Sequence, residues 1–276
     1  MQYRQQDDPE RGRSRWPFSW PTASLIDILL FAGLVVIIFL FFRHSQAEVP
    51  YHWQWYQVPR YLWTIEEGLF RAGPLLTGLA LTIKISAVSL ILAFIIGMLT
   101  AMLRLSRSFV GRAVARLYLE ISRNTPLLIQ IFFIYFVMGP ILGLDRFWAA
   151  VLALSLYEGA YASEIFRSGI VSIERCQWEA AASIGLNRVQ VYRLVILPQA
   201  VRRTLPPLAG QAVSLIKDSA LVSTIAIYDL TMQAQAVISE TFLTFELWLT
   251  VAGMYLVLTA SLSLLVGGLE RRLRVD

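Results

Sequence analysis

Few residues in this chain can do chemistry, and most of them stand inside apolar sequence. Glu158 and Glu164 interrupt one apolar run, Lys217 and Asp218 another, and Lys84 a third. Charges at membrane depth are costly and mark positions that bind ions or polar solutes or pass protons. The single cysteine, Cys176, excludes an intrachain disulfide and a cysteine-built metal site. Only His44 and His52 could supply imidazole. No phosphate-binding glycine loop, HExxH or GxSxG pattern occurs. No pair of catalytic groups falls at one membrane depth, which disfavours a membrane-embedded enzyme. The chemistry on offer is recognition, not bond-making.

The elements that must carry these charges are membrane helices. The 276 residues are 57% hydrophobic and 16% charged, against about 45–50% and about 25% in soluble domains. Disorder, collagen and coiled coil are excluded by the same composition. Six apolar runs are long enough to cross about 30 Å of hydrocarbon. The first, 24–42, has Asp27 near one end and no cleavage site after it, so it reads as a retained span. The second, about 75–103, contains Lys84. It resolves into an interfacial stretch over 73–82 and a span from about 83, with Lys84 snorkelling. The third is about 127–142 and the fourth 147–166. The fifth, 205–227, is broken by Pro206-Pro207, which suggests backbone lining a cavity. The sixth is 247–269. An all-α membrane protein of six transmembrane helices is predicted.

Arginine placement tests that count. With the N-terminus inside, the inner segments hold Arg4, Arg11, Arg13 and Arg15, then Arg104, Arg107, Arg112, Arg116 and Arg123. They also hold Arg167, Arg175, Arg188, Arg193, Arg202 and Arg203, and finally Arg271, Arg272 and Arg274. The outer segments hold only Arg43, Arg60, Arg71 and Arg146. That bias is the positive-inside pattern, so the net charge of +5 reports topology and contact with membrane lipid rather than nucleic acid. The outer segment 43–71 is rich in aromatics, among them Trp53, Trp55, Tyr56, Trp63 and Phe70. It reads as an interfacial belt, with a ligand-stacking surface as the alternative.

The inner loop from 167 to 203 is the longest structured connection. Glu179-Ala180-Ala181-Ala182 favours helix, Gly185 can end it in the left-handed region, and Asn187 can cap a second helix. That helix contains Val191, Leu194 and Val195, and Pro198 is expected to end it. The unit reads as a docking element for a cytoplasmic partner. Its alternatives are an amphipathic connector lying on lipid and a DNA-binding helix-turn-helix, the latter disfavoured by the tether to two spans.

Glu179-Ala180-Ala181, three residues, Gly185, nine residues and Val195-x-Leu197-Pro198 resemble the EAA loop. That loop marks the permease subunits of binding-protein-dependent ABC importers. Gly78-Leu79-x-Leu81-Thr82 is similar to the opening of that family's core. Arg123-Asn124-Thr125-Pro126-Leu127-Leu128-x-Gln130 and Ala160-Tyr161-x-x-Glu164-Ile165-x-Arg167 look like its polar amino acid branch. Leu197-Pro198-Gln199-Ala200, Lys217-Asp218-Ser219 and Glu270-Arg271-Arg272 fit the same branch. The resemblance covers about 73–273. It departs from the family at Val195, where isoleucine is usual, at Cys176, where glycine is common, and at Glu158, where a small or hydroxyl residue is common. Residues 1–72 lie outside the usual core.

The resemblance implies a five-helix type I importer core plus one extra N-terminal helix. The domains are then a cytoplasmic tail (1–23), the extra helix with its external segment (24–72), and the transmembrane domain (73–273) with the coupling loop at about 171–200. It also implies half of a pore in a bacterial cytoplasmic (inner) membrane, with both termini cytoplasmic. The implied partners are an ATP-binding subunit dimer carrying ATP and Mg, an external amino-acid-binding protein, and a second permease, identical or related. No cofactor is expected in this subunit. Coupling falls to Glu179, Ala180, Ala181, Gly185, Leu197 and Pro198. Glu179 would pair with a basic residue of the partner or cap its own helix.

The predicted substrate pathway is Glu158, Tyr161, Glu164, Lys217 and Asp218. Glu158 lies about 11 residues, or about 16 Å, into its span, near mid-membrane. Tyr161 shares its face at i+3, whereas Tyr157 is expected to point elsewhere. Glu158 binds an amine or favours a basic side chain; its alternative role is internal pairing with Lys217 or Lys84. Glu164 is expected to pair with Arg167. Lys217 and Asp218 neutralise each other or serve a gate. An ion channel or proton-coupled carrier using Glu158, Lys217 and Asp218 is the alternative function.

Overall fold

The computed structural model describes residues 25–48, 51–66 and 68–273, so the predicted tail 1–23 lies outside the described residues. The chain divides into two units, Met1–Trp53 and Gln54–Asp276. The first contains α1 (Leu25–Glu48), whose sequence is apolar all round from residue 28 to residue 42, as suits a helix in lipid.

The second unit opens with a 3₁₀ turn (Trp55–Gln57), α2 (Pro59–Leu62) and a hairpin of β1 (Trp63–Glu66) and β2 (Leu69–Ala72). Trp63 stands opposite Ala72, and Glu66 opposite Leu69. The backbone N–H of Gln54 donates to the buried Glu246 carboxylate at 2.7 Å, and that of Gly73 to Leu62 O at 2.7 Å. These bonds tie the aromatic segment to the helices while Ile65, Leu69 and Phe70 stay exposed.

α3 (Pro74–Leu105) is one unbroken helix, which corrects the expected division into an interfacial stretch and a span. Pro74 sits in the first turn, where its missing N–H is no loss. Thr82 is fully buried, its hydroxyl accepting the Leu230 N–H at 3.1 Å. Lys84 does not need to snorkel, because its ammonium lies 5.1 Å from the centre of the Phe147 ring, a cation–π distance.

α3 carries small buried residues, Ser86, Ser89, Ala93, Gly97 and Ala101, at helical spacing. They let it pack closely on α7 (Arg146–Val171), the small-residue mode of membrane helix association. A Cβ on Gly97 would stand 2.8 Å from Ala162 Cβ and 3.0 Å from Gly159 O. Gly97→Val should therefore destabilise the fold by about 1–3 kcal/mol, the usual cost of overpacking. Thermal unfolding of the detergent-purified protein checks this, and an unshifted midpoint would show that the two helices do not press together here.

α4 (Phe109–Asn124) is capped by Ser108, whose Oγ accepts the Gly111 N–H. It bends by 111° into the run Leu127–Leu142. That run consists of α5 (Leu127–Phe132), a π turn (Phe133–Met138) and α6 (Gly139–Leu142). A second π turn (Val191–Ile196) follows α8 (Arg175–Ser183) and α9 (Arg188–Gln190), and leads into α10 (Leu197–Asp218). In each π turn the closing N–H reaches five residues back, Gly139 to Ile134 and Leu197 to Tyr192. A proline follows each time, Pro140 and Pro198. The widened turn frees the carbonyl geometry that a proline would otherwise clash with. Pro198 thus does not end its helix, contrary to expectation.

α10 also runs through Pro206 and Pro207. The predicted break falls later, where the helix tightens to 3₁₀ over Ser219–Ile225. α11 (Leu230–Thr241), capped by Asp229, and α12 (Thr244–Leu273) complete the chain.

Among the described residues, α3 and the Thr244–Gly268 part of α12 are long and apolar enough to cross a membrane. Two bent pairs, Phe109–Asn124 with Leu127–Leu142 and Arg188–Ile225 with Leu230–Thr241, raise the number to four. α7 fails that test because of Glu158, Glu164 and its tyrosines. It is sheltered instead: Ala150, Val151, Ala153, Leu154 and Ala160 are fully buried, in a core shared by α3, α5 and the 3₁₀ segment.

Candidate functional site

α7 and α10 hold the polar groups. Glu158 is 1% exposed, and its Oε2 accepts a hydrogen bond from Gln211 Nε2 of α10 at 2.5 Å. Its Oε1 is buried with no hydrogen-bond partner. Asp218, half-buried at the end of α10, turns its carboxyl toward Glu158. Lys217 is exposed, and neither it nor Lys84 bonds to Glu158 among the described residues. Glu158 is therefore held by an amide rather than neutralised by a lysine. Two neighbouring carboxyls, one with a buried oxygen free of hydrogen bonds, are chemically able to receive a cationic group.

Tyr161 shares its face of α7 with Tyr157, contrary to expectation. Their hydroxyls lie 3.3 Å apart and their ring centres 5.1 Å apart. The i, i+4 relation brings them together. Glu164 continues that face. It accepts Arg167 Nη2 at 2.8 Å, as predicted, and also pairs with Arg104 of α3, with Arg123 of α4 at 3.9 Å. Tyr157, Tyr161 and Glu164 are all partly exposed. They form a polar stripe open on one side.

The loop forms as its sequence indicates. α8 contains Glu179, Ala180 and Ala181, Gly185 has φ +80°, and Asn187 with Gln190 makes a full capping box. Ala181 packs in a small core with Ile173, Val191 and Ile196, and Trp178 meets Tyr192 edge-on with ring centres 5.0 Å apart. The loop is thus fastened to the ends of both α7 and α10. Its outer face is unpartnered: Ile184 is 76% exposed, Val189 74% and Leu194 60%. Exposed apolar groups can serve a contact surface. Glu179 lies mid-helix and exposed, so it does not cap α8. Leu197 and Pro198 stand where the π turn enters α10. Cys176 donates its thiol hydrogen to Glu174 Oε2 at 3.3 Å. That bond holds the thiol pKa above its ordinary value and leaves it a poor nucleophile at neutral pH.

Gln211 and Tyr157 were missed by sequence reasoning. Gln211 lies seven residues before Asp218 and so on the same helical face. That signal is visible only once the helix is allowed to pass through Pro206 and Pro207.

Residues 93–275 match the family described as binding-protein-dependent transport system inner membrane component. The chain is similar to the glutamine transport system permease protein GlnP of Escherichia coli (strain K12), 38% identical over 204 residues, covering 73% of this chain and 93% of that one. It is also similar to the arginine transport system permease protein ArtQ of Bacillus subtilis (strain 168), 35% identical, covering 72% and 92%. A crystal structure of an amino acid ABC transporter with histidines superposes with a TM-score of 0.68 at 35% identity, over 72% of this chain and 94% of that chain.

Proposed function

We propose a function from one premise: the chain belongs to the family of binding-protein-dependent transport system inner membrane components. Its relatives are transport permeases rather than enzymes. We infer that this chain is the permease subunit of an ATP-driven amino acid importer in a bacterial inner membrane. It forms half of a translocation path with a second permease. An external binding protein delivers the solute, and an ATP-binding subunit dimer, which carries ATP and Mg, docks on the cytoplasmic loop. Six spans with both termini cytoplasmic agree with the arginine distribution, and the two bent pairs count as one span each.

One observation carries this reading. The loop joins α7 directly to α10, and these two helices hold Glu158, Gln211 and Asp218. The small core around Ala181 makes the connection stiff. A displacement imposed on the loop by a docked ATPase therefore reaches the polar site through two rigid helices. Glu158 and Asp218 serve the cationic group of the solute, Gln211 orients Glu158, and the Tyr157–Tyr161–Glu164 stripe lines the path. Arg104 and Arg167 hold Glu164 in place, so Glu164 is primarily structural, and Lys217 serves as a surface charge beside the path. Glu179 and the Ile184–Val189–Leu194 face meet the ATPase.

Reconstitution tests the reading. Proteoliposomes holding the chain with its ATP-binding partner should take up radiolabelled glutamine or arginine only with ATP inside and binding protein outside. Ion-gradient-driven uptake by the chain alone would instead support a secondary carrier.

A further inference from the structure

At the loop end of the α7 stripe, α3, α4 and α7 line an open cavity of about 330 Å³. It is at the small end of small-molecule sites, about 300–1,000 Å³. Both charge signs line it. Arg104 is committed to Glu164. Arg123 lies 5.7 Å from the centre of the Tyr161 ring and 3.9 Å from Glu164, and nearly half of its side chain is exposed. Arg116 lines the cavity and makes no hydrogen bond or ion pair among the described residues. One turn along the same face of α4, Glu120 accepts a hydrogen bond from Asn124 Nδ2 at 2.9 Å.

We propose that this cavity is a second amino acid site, distinct from the Glu158–Gln211–Asp218 station and placed at the cytoplasmic end of the path. The inference rests on the transport reading above, because it takes the Tyr157–Tyr161–Glu164 stripe as the route. The ligand class follows from the lining. Guanidinium groups bind carboxylates through paired, charge-assisted hydrogen bonds, so Arg116 and Arg123 take the α-carboxylate. Glu120 takes the α-ammonium, and the Tyr161 ring covers the body of the molecule. An inorganic anion meets Arg116 but also the carboxylates of Glu120 and Glu164, whereas a zwitterion satisfies both signs at once. The side chain of the solute is not read by any charged group, so the site accepts amino acids generally.

A site at this end fills from the cytoplasm. Amino acid accumulated inside then occupies the route and slows further import, so the cavity couples import to internal supply. The test uses proteoliposomes of the whole permease–ATPase complex with binding protein outside. They are preloaded with glutamine, arginine or inorganic phosphate at matched ionic strength, and each variant's rate is expressed relative to its own rate into empty vesicles. Internal glutamine and arginine should both slow uptake, and phosphate should not. Arg116→Gln should raise the internal concentration needed for half-inhibition by about tenfold, the effect of losing one charge-assisted bond. Arg116→Lys, which keeps the charge, should fall between. Equal inhibition in wild type and Arg116→Gln, no inhibition in wild type, or equally strong inhibition by phosphate would overturn the site. Absence of any ATP-driven uptake into empty wild-type vesicles would instead defeat the transport reading on which the site depends.

Discussion

Replacing Glu158 by glutamine should lower arginine uptake by about ten- to hundredfold while the protein inserts normally. The substitution keeps the shape of the side chain and its neighbour Gln211, and replaces one carboxyl oxygen with an amide nitrogen that cannot accept from a cation. Glu158 is 1% exposed, lies beside the Asp218 carboxyl, and has one oxygen without a partner. A charged hydrogen bond is worth about 1.5–3 kcal/mol, and each 1.4 kcal/mol is about a factor of ten. The comparison solute fixes which cation is read. If Glu158 receives a basic side chain, glutamine uptake should fall by less than about threefold. If it receives the α-ammonium group, both solutes should lose about equally. Initial rates for the two amino acids, measured with the same vesicle preparation, decide between these. Unchanged rates for both would remove Glu158 from the path.

Much of this arrangement was legible in the sequence, for identifiable reasons. The loop was read correctly down to its turn residue and cap, because Gly185 and Asn187 act locally: φ +80° and a capping box need no distant partner. Glu158 and Asp218 stood out because charges are rare in apolar sequence. What could not be read depended on contacts between helices. α3 carries its buried Thr82 against the start of α11, where the hydroxyl takes the Leu230 N–H, a contact that its own sequence does not announce. The sharp bend at Pro126 and the two π turns place Pro140 and Pro198 within helical paths, where local rules expect an ending. α7 fails a composition test for a span because it needs no apolar surface where other helices cover it. Gln211 became significant only when α10 was seen to run through two prolines. The three-arginine setting of Glu164 joins residues 104, 123 and 167, a grouping that only the packing of α3, α4 and α7 creates.

Replacing Gly185 by aspartate should abolish coupling while leaving the fold intact. At φ +80° a side chain is strained by roughly 1–2 kcal/mol, and less for aspartate, which tolerates this region better than most residues. No atom lies within 4 Å of the position a Cβ would take, so there is no collision. The turn is at the surface and the helices do not rest on it, so insertion is spared. The added charge stands next to the exposed Ile184, on the face assigned to the ATPase. A desolvated, unpaired charge at an interface costs far more than the turn strain. Gly185→Asn tolerates the same backbone region without the charge and should retain most of the transport.

The most direct measurement follows ATP hydrolysis and amino acid uptake in the same proteoliposomes, for wild type and Gly185→Asp. A loop that transmits motion to the Glu158–Gln211–Asp218 site predicts that uptake falls at least tenfold while hydrolysis by the ATP-binding subunits persists and the chain remains in the membrane. Wild-type uptake by a correctly inserted Gly185→Asp complex would contradict the assignment of the loop as the coupling element.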